Sequence, residues 1–367
     1  MTNKCVIYNF EQRYREGIFR LIEKEWHPLW IFGDSNENIA PLPDDLLPSE
    51  RVKHIHNVRF GPLYWQQGVV GQIRNYDTLL ILGELYCLST WVILLLRHTL
   101  FTKKRVFLWS HGWYGKESLI KRIIKQWFFS LSDTTFLYGH HAEKVAREQG
   151  YKKDNLLVIH NSLNYELQRK IRDQLKPSDI YTKHFGNNLP VLIFIGRLTP
   201  IKRLDQLILA LNLLHKRGSD YNLVFVGEGS EYTYLQRMIQ EKGLSSRVWF
   251  YGSCYDETVN AELIYNADLC IAPGNVGLTA MHSMVYGTPV MTHNDKAWQM
   301  PEFEAISVGH TGDFFNRNDI EDMANKIELW FEKNKDTRER IRSNCFNEID
   351  TSWTPAYQMN ILKKQIK

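Results

Sequence analysis

Two cations five positions apart, Arg197 and Lys202, are the first residues with a clear chemical reading. In Phe194-Ile195-Gly196-Arg197-Leu198-Thr199-Pro200-Ile201-Lys202 an apolar run turns through glycine straight into the pair. A guanidinium fork grips two oxygens and an ammonium adds point charge, so such a pair at a strand's carboxyl end suits a diphosphate. Solvated surface cations are the alternative. The stretch Val226-Gly227-Glu228-Gly229-Ser230 repeats the strand-then-glycine pattern, where a missing side chain lets backbone approach a ligand, although many tight turns look the same. Third comes the run from Ala272 to Val290, in which Pro273-Gly274-Asn275-Val276-Gly277 precedes an expected helix over Leu278 to Tyr286. Free N–H groups and the dipole at such a helix start favour an anion. His282, five residues beyond Gly277, faces either the ligand or the core.

These three stretches, in this order and followed by the apolar-GTPV turn at Gly287-Thr288-Pro289-Val290, resemble the donor half of family 4 retaining glycosyltransferases of the GT-B fold. The likeness is strong from Val191 to Phe315 and weaker before it. It implies an α/β chain of two Rossmann-like doubly wound domains facing a central cleft, and transfer of a sugar from a UDP- or GDP-sugar with retention of configuration. The acceptor would be a glycan or a lipid-linked sugar in bacterial polysaccharide, lipopolysaccharide or capsule assembly. By the same resemblance Arg197 and Lys202 bind the diphosphate and stabilise the leaving group, while Gly277, Leu278 and Thr279 offer backbone amides. Gly196 and Gly227 belong to the same donor-binding set. The family carries two glutamates eight positions apart around the glycine turn; here those positions are Gly274 and His282, so His282 and Asn275 are the candidates to replace them.

In the first half, Ser110-His111-Gly112 closes a strand and resembles the family's histidine near the reacting sugar, which makes His111 the third catalytic candidate. Glu302, in the segment after the next strand, is a candidate sugar contact. Asn161 resembles a turn asparagine and reads as a structural cap. Without a D-x-D triplet no metal is expected, and no other cofactor is implied.

Strands alternating with helices must position these groups. Expected strands are 78–82, 105–109, 134–137, 156–159, 191–195, 222–226, 248–250, 269–272 and 289–292, with helices between them. The proline- and asparagine-bearing stretch 177–189 reads as a linker between an N-terminal domain, 1–176, and a C-terminal nucleotide-sugar domain, 190–350. A final helix within 351–367 is expected to pack back on the first domain. Residues 116–129 mix lysines and an arginine with leucine, isoleucine, tryptophan and phenylalanine, which suits either an anionic membrane surface or packing of the apolar face on the first domain.

Composition excludes several classes. A 44% hydrophobic and 23% charged chain of 367 residues is too apolar for disorder and long enough for two cores. A net charge of +4 falls short of a nucleic-acid-binding composition. Five scattered cysteines without a C-x-x-C pair argue for free thiols in a reducing compartment. Met1-Thr2-Asn3-Lys4 does not open a signal peptide, and the apolar run Leu85 to Leu96 is too short to span a bilayer, so the expected location is cytoplasmic, either free or peripheral on the inner face of the cell membrane. No G-x-G-x-x-G follows the first strand, which disfavours a dinucleotide oxidoreductase; a nucleotide-sugar epimerase or hydrolase of the same fold and a non-catalytic glycan-binding module stay open.

Overall fold

The computed structural model describes residues 3–35 and 39–367, so Met1 and Thr2 of the opening tetrapeptide lie outside the described residues. It divides into two compact units, one running to Asn164 and including Thr354–Lys367, the other Tyr165–Trp353.

In the first unit seven strands form one sheet in the order β3-β2-β1-β6-β7-β8-β9. These are β1 (Lys4–Tyr8), β2 (Leu29–Phe32), β3 (Val52–His54), β6 (Thr78–Leu82), β7 (Arg105–Ser110), β8 (Thr134–Leu137) and β9 (Leu156–Val158), all paired in parallel. A separate antiparallel hairpin joins β4 (Asn57–Phe60) to β5 (Leu63–Gln66). Alternation along β1 splits the core: Cys5 and Ile7 face one layer with Ile93, Leu94, Phe128 and Phe129, whereas Val6 and Tyr8 face the other with Ile18, Phe19 and Ile22. The C-terminal helix Pro355–Gln365 joins that second layer through Met359 and Leu362, with Thr354 capping its start by accepting from the Tyr357 amide.

The second unit holds β10 (Val191–Ile195), β11 (Asn222–Val226), β12 (Val248–Gly252), β13 (Leu269–Ala272), β14 (Val290–His293) and β15 (Gly312–Phe315). Their order is β12-β11-β10-β13-β14-β15, again parallel throughout. Every residue of β10 and β11 is buried, as expected for strands covered by helices on both faces. In both sheets the strand order reverses beside the first strand, between β1 and β6 and between β10 and β13. Crevices at the carboxyl ends of such reversals are where doubly wound sheets take ligands.

One segment differs from the sequence reading, and a second bears on an alternative which that reading left open. Residues 177–189, read as linker, carry the helix Ile180–Phe185, whose buried Tyr181 donates to the Leu263 carbonyl at 2.6 Å; they are part of the second unit, and the chain passes between units at Asn164 and Trp353 instead. Helix Leu119–Ser130 turns Lys125, Phe128 and Phe129 inward, while Leu119 and Ile120 are 70% and 72% exposed and Ile123 and Trp127 are exposed beside them. Much of its apolar face is therefore not packed on the unit that carries it.

Candidate active site

Lys202 ends a short 3-10 turn, Pro200–Lys202, beyond the carboxyl end of β10. Its ammonium donates to the Asn275 carbonyl at 2.8 Å and to Asn275 Oδ1 at 2.9 Å, which ties it to the loop after β13. That reach depends on Gly274: a Cβ there would lie 2.0 Å from the Ile201 carbonyl oxygen, and its amide already donates to the Lys202 carbonyl at 2.9 Å. Gly277 follows with φ +54°, and a Cβ on it would come within 3.9 Å of the Lys202 ammonium. The helix Leu278–Val285 thus begins beside a positive charge, and the first amides of any helix have no partner within it.

Thr279 pins this helix to the sheet, its hydroxyl donating to the Ile195 carbonyl at 2.8 Å; a Cβ on Gly196 would sit 3.4 Å from the same hydroxyl. Gly227 stacks directly on the Gly196 backbone. Gln299, which sequence reasoning did not single out, braces the loop from beneath by accepting from the Val276 amide at 2.9 Å and donating to Thr292 Oγ1 at 2.8 Å. Glu302 is 1% exposed, and its charge acts on Lys202. Burial lowers the Lys202 pKa to about 8, against the opposing pull of Glu302 and with a smaller push from Arg197. Arg197 itself is exposed. The structure therefore brings together Gly196, Arg197, Lys202, Asn275, Gly277, Leu278, Thr279 and Glu302.

His282 has partners of its own further along the helix. Its Nε2 lies 3.0 Å from Glu257 Oε1, which also accepts from Tyr286 OH at 2.7 Å and from Gln168 Nε2 at 2.9 Å. Burial alone would raise the Glu257 pKa, but the charge of His282 and these hydrogen bonds hold it at about 2. Glu257 was missed because it sits at the start of a different helix, Glu257–Asn266, capped by Asp256, with no motif around it.

His111 belongs to the other unit, immediately after β7. Burial, and then the charges of Arg15 and Lys125, bring its pKa down to about 4, so the ring is neutral near pH 7. Its Nδ1 is enclosed with no hydrogen-bond partner among the described residues. Lys125 steadies the turn by donating to the Gly112 carbonyl at 2.6 Å and to Glu117 at 2.7 Å. Asn161 folds its side-chain oxygen back on the Ser162 amide at 3.0 Å, a local turn contact.

Comparison with known proteins bears on the second unit. The glycosyl transferases group 1 family matches residues 179–347. The match covers less than half of the chain and lies within the second unit. Among curated relatives, a GDP-mannose-dependent alpha-(1-6)-phosphatidylinositol dimannoside mannosyltransferase of Mycobacterium tuberculosis is 34% identical over 110 residues, 29% of this chain and 28% of that protein. A poly(ribitol-phosphate) alpha-N-acetylglucosaminyltransferase of Staphylococcus aureus is 25% identical over 213 residues, 52% of this chain and 42% of that protein. The matched stretches thus span less than half of either relative. The fold extends further: Anabaena Alr3699/HepE, solved in complex with UDP, superposes with a TM-score of 0.73 at 17% identity, covering 99% of both chains. The lipopolysaccharide outer core galactosyltransferase WaaB gives 0.70 at 14% identity, also covering 99% of both chains. The chain has the GT-B fold, and the stretch that matches the group 1 family lies in its second unit.

Two outcomes follow from the Lys202 geometry. A diphosphate favours the charged ammonium, so binding takes up a proton once the pH passes about 8; nucleotide affinity measured by calorimetry should be about tenfold weaker at pH 9 than at pH 7, and a flat profile would remove Lys202 from the site. Gly274→Glu, which writes the family's acid into this position, should cost about 1–3 kcal/mol or more of stability through overpacking, read as a lower denaturant midpoint. Unchanged stability with faster turnover would show that the loop has room after all.

Proposed function

We propose that the chain is a glycosyltransferase that moves a sugar from a UDP- or GDP-sugar to a glycan or lipid-linked acceptor, with retention of configuration, in the assembly of bacterial surface polysaccharide. The observation that carries the reading is the Lys202 ammonium fixed on Asn275 at the start of the Leu278–Val285 helix, within the stretch that matches the group 1 family. In this reading Gly196 and Gly227 let the diphosphate approach the strand ends. Arg197, Lys202 and the amides of Gly277, Leu278 and Thr279 meet the charge that grows on the leaving phosphate, so the site needs no metal. Preorganised groups of this kind contribute several kcal/mol when the anion develops away from water. Asn275 and Glu302 take sugar hydroxyls. His282 with Glu257 takes the ribose, restoring a carboxylate where the sequence position itself has none. The departing phosphate helps to deprotonate the acceptor on the same face, and the neutral His111 ring orients a hydroxyl without competing for the proton. No protein nucleophile enters.

The exposed Leu119, Ile120, Ile123 and Trp127, next to Lys116, Lys121 and Arg122, support peripheral attachment to an anionic membrane surface, where a lipid-linked acceptor resides. Among the described residues no helix is long and apolar enough to cross a membrane.

Thermal-shift measurements against UDP, GDP, CMP and their sugars identify the donor, since a ligand bound only by the folded state raises its melting temperature. With that donor, Arg197→Ala and Lys202→Ala should each lower kcat/KM by about a hundredfold or more while the unfolding temperature holds. Near-normal turnover in both variants would sink the transferase site. Exchange of Ile120, Ile123 and Trp127 for serine should reduce co-sedimentation with phosphatidylglycerol-containing vesicles at least tenfold; equal pelleting of variant and parent would refute the membrane contact.

A further inference from the structure

The first unit contains a cavity of about 830 Å³ at its own strand-order reversal, lined by Asn9 beyond β1 and by Gly83 and Glu84 beyond β6. One continuous set of hydrogen bonds crosses its wall. Arg15 Nε donates to Gln12 Oε1 at 2.8 Å, Gln12 Nε2 to Asn9 Oδ1 at 3.3 Å, and Asn9 Nδ2 to both Glu84 oxygens at 3.2 Å. Tyr64 OH closes the far end on Glu84 at 2.5 Å. Every donor points toward Glu84, which makes this carboxylate the acceptor end and Arg15 the donor end.

The two ends are not equally provided for. Glu84 receives Asn9 and Tyr64, and the charge of Arg59 offsets part of the burial that raises its pKa. Arg15 is 3% exposed and meets no carboxylate within ion-pair distance among the described residues. Rings stand in for a counterion: the guanidinium carbon lies 5.3 Å from the Tyr8 ring centre, 5.1 Å from Trp109 and 5.1 Å from Tyr138, and Nη2 donates to Tyr138 OH. Aromatic faces attract a cation but do not neutralise it. Nη1 is enclosed with no hydrogen-bond partner among the described residues. Lys125, the neighbouring cation, is already matched by Glu117. A buried charge left unpaired is costly, and buried charges are ordinarily paired, so a buried guanidinium in the lining of a ligand crevice with no carboxylate beside it marks a place for an anion.

We propose that this cavity binds an anionic sugar, whose carboxylate or phosphate neutralises Arg15 while a ring hydroxyl donates to Glu84. Naming that sugar as the acceptor of the transfer rests on the transferase reading; the binding itself does not.

Ligand-observed NMR titration of the full chain tests it without any nucleotide, using methyl β-glucuronide, glucose 6-phosphate and methyl β-glucoside as probes. At least one anion should bind tenfold or more tightly than the neutral glucoside; the tighter of the two tells carboxylate from phosphate. Arg15→Met should erase that gap, and Glu84→Gln should weaken all probes by a similar factor because the hydroxyl contact is common to them. If Arg15→Met lowers the melting temperature below the assay temperature, the Glu84→Gln titration alone locates the site. The proposal is overturned if the glucoside binds as tightly as both anions, if no probe binds, or if a folded Arg15→Met retains the gap. Selective anion binding in a chain that transfers sugar from no nucleotide donor would uphold the cavity and retire the transferase reading instead.

Discussion

The Lys202 ammonium is held in one place, and the backbone around it does the holding. Lys202 reaches Asn275 because Gly274 leaves no side chain between the 3-10 turn and the loop after β13. The same approach sets the start of the Leu278–Val285 helix beside the charge, and Thr279 and Gln299 fix that start to β10 and β14. Burial makes the lysine's charge less favourable than in water, so the site is poised to gain from an incoming anion. Arg197, exposed at the rim, adds charge without sharing that constraint.

The second unit was legible because its signals are local. An apolar run of strand length, a glycine and a helix-period segment recur there, and β10, β11 and β13 fall on the expected residues 191–195, 222–226 and 269–272. Before Asp77 the sequence named no element, although β1 and β2 are central strands and supply much of one core layer. Their runs, five and four residues long, equal β10 and β13 in length, and Pro28 and Gly33 bracket β2; what is missing is a helix-period segment between β2 and β6, where 3-10 turns, a hairpin and a four-residue helix stand instead. The linker reading at 177–189 failed for a related reason: prolines and asparagines mark where a chain bends, but Tyr181, packed under the Glu257–Asn266 helix, decides to which unit the bend belongs. Local composition carries no information about that long-range contact.

His282 shows the limit for site residues. Its position in the helix was readable, and so was the loss of the family's acid there. Its partner was not, since Glu257 lies 25 positions earlier and Tyr286 and Gln168 complete the cluster from other turns. Glu257, at the start of a neighbouring helix, sets a carboxylate beside the His282 ring. Spacing rules see the histidine and miss its partner.

The two sheets reverse order at equivalent places but solve the electrostatics there differently. At β10 and β13 the cation is a lysine whose pKa the site can shift, neighboured by Glu302, so charge and proton are both adjustable. At β1 and β6 the cation is an arginine, which stays charged whatever its burial, so the surroundings must accommodate it through rings and a hydrogen-bonded relay ending on Glu84. An adjustable cation suits a group that departs with its charge changing during the reaction. A permanent one suits a group whose charge stays the same from binding to release, which is the behaviour of a substituent remote from the bond being made.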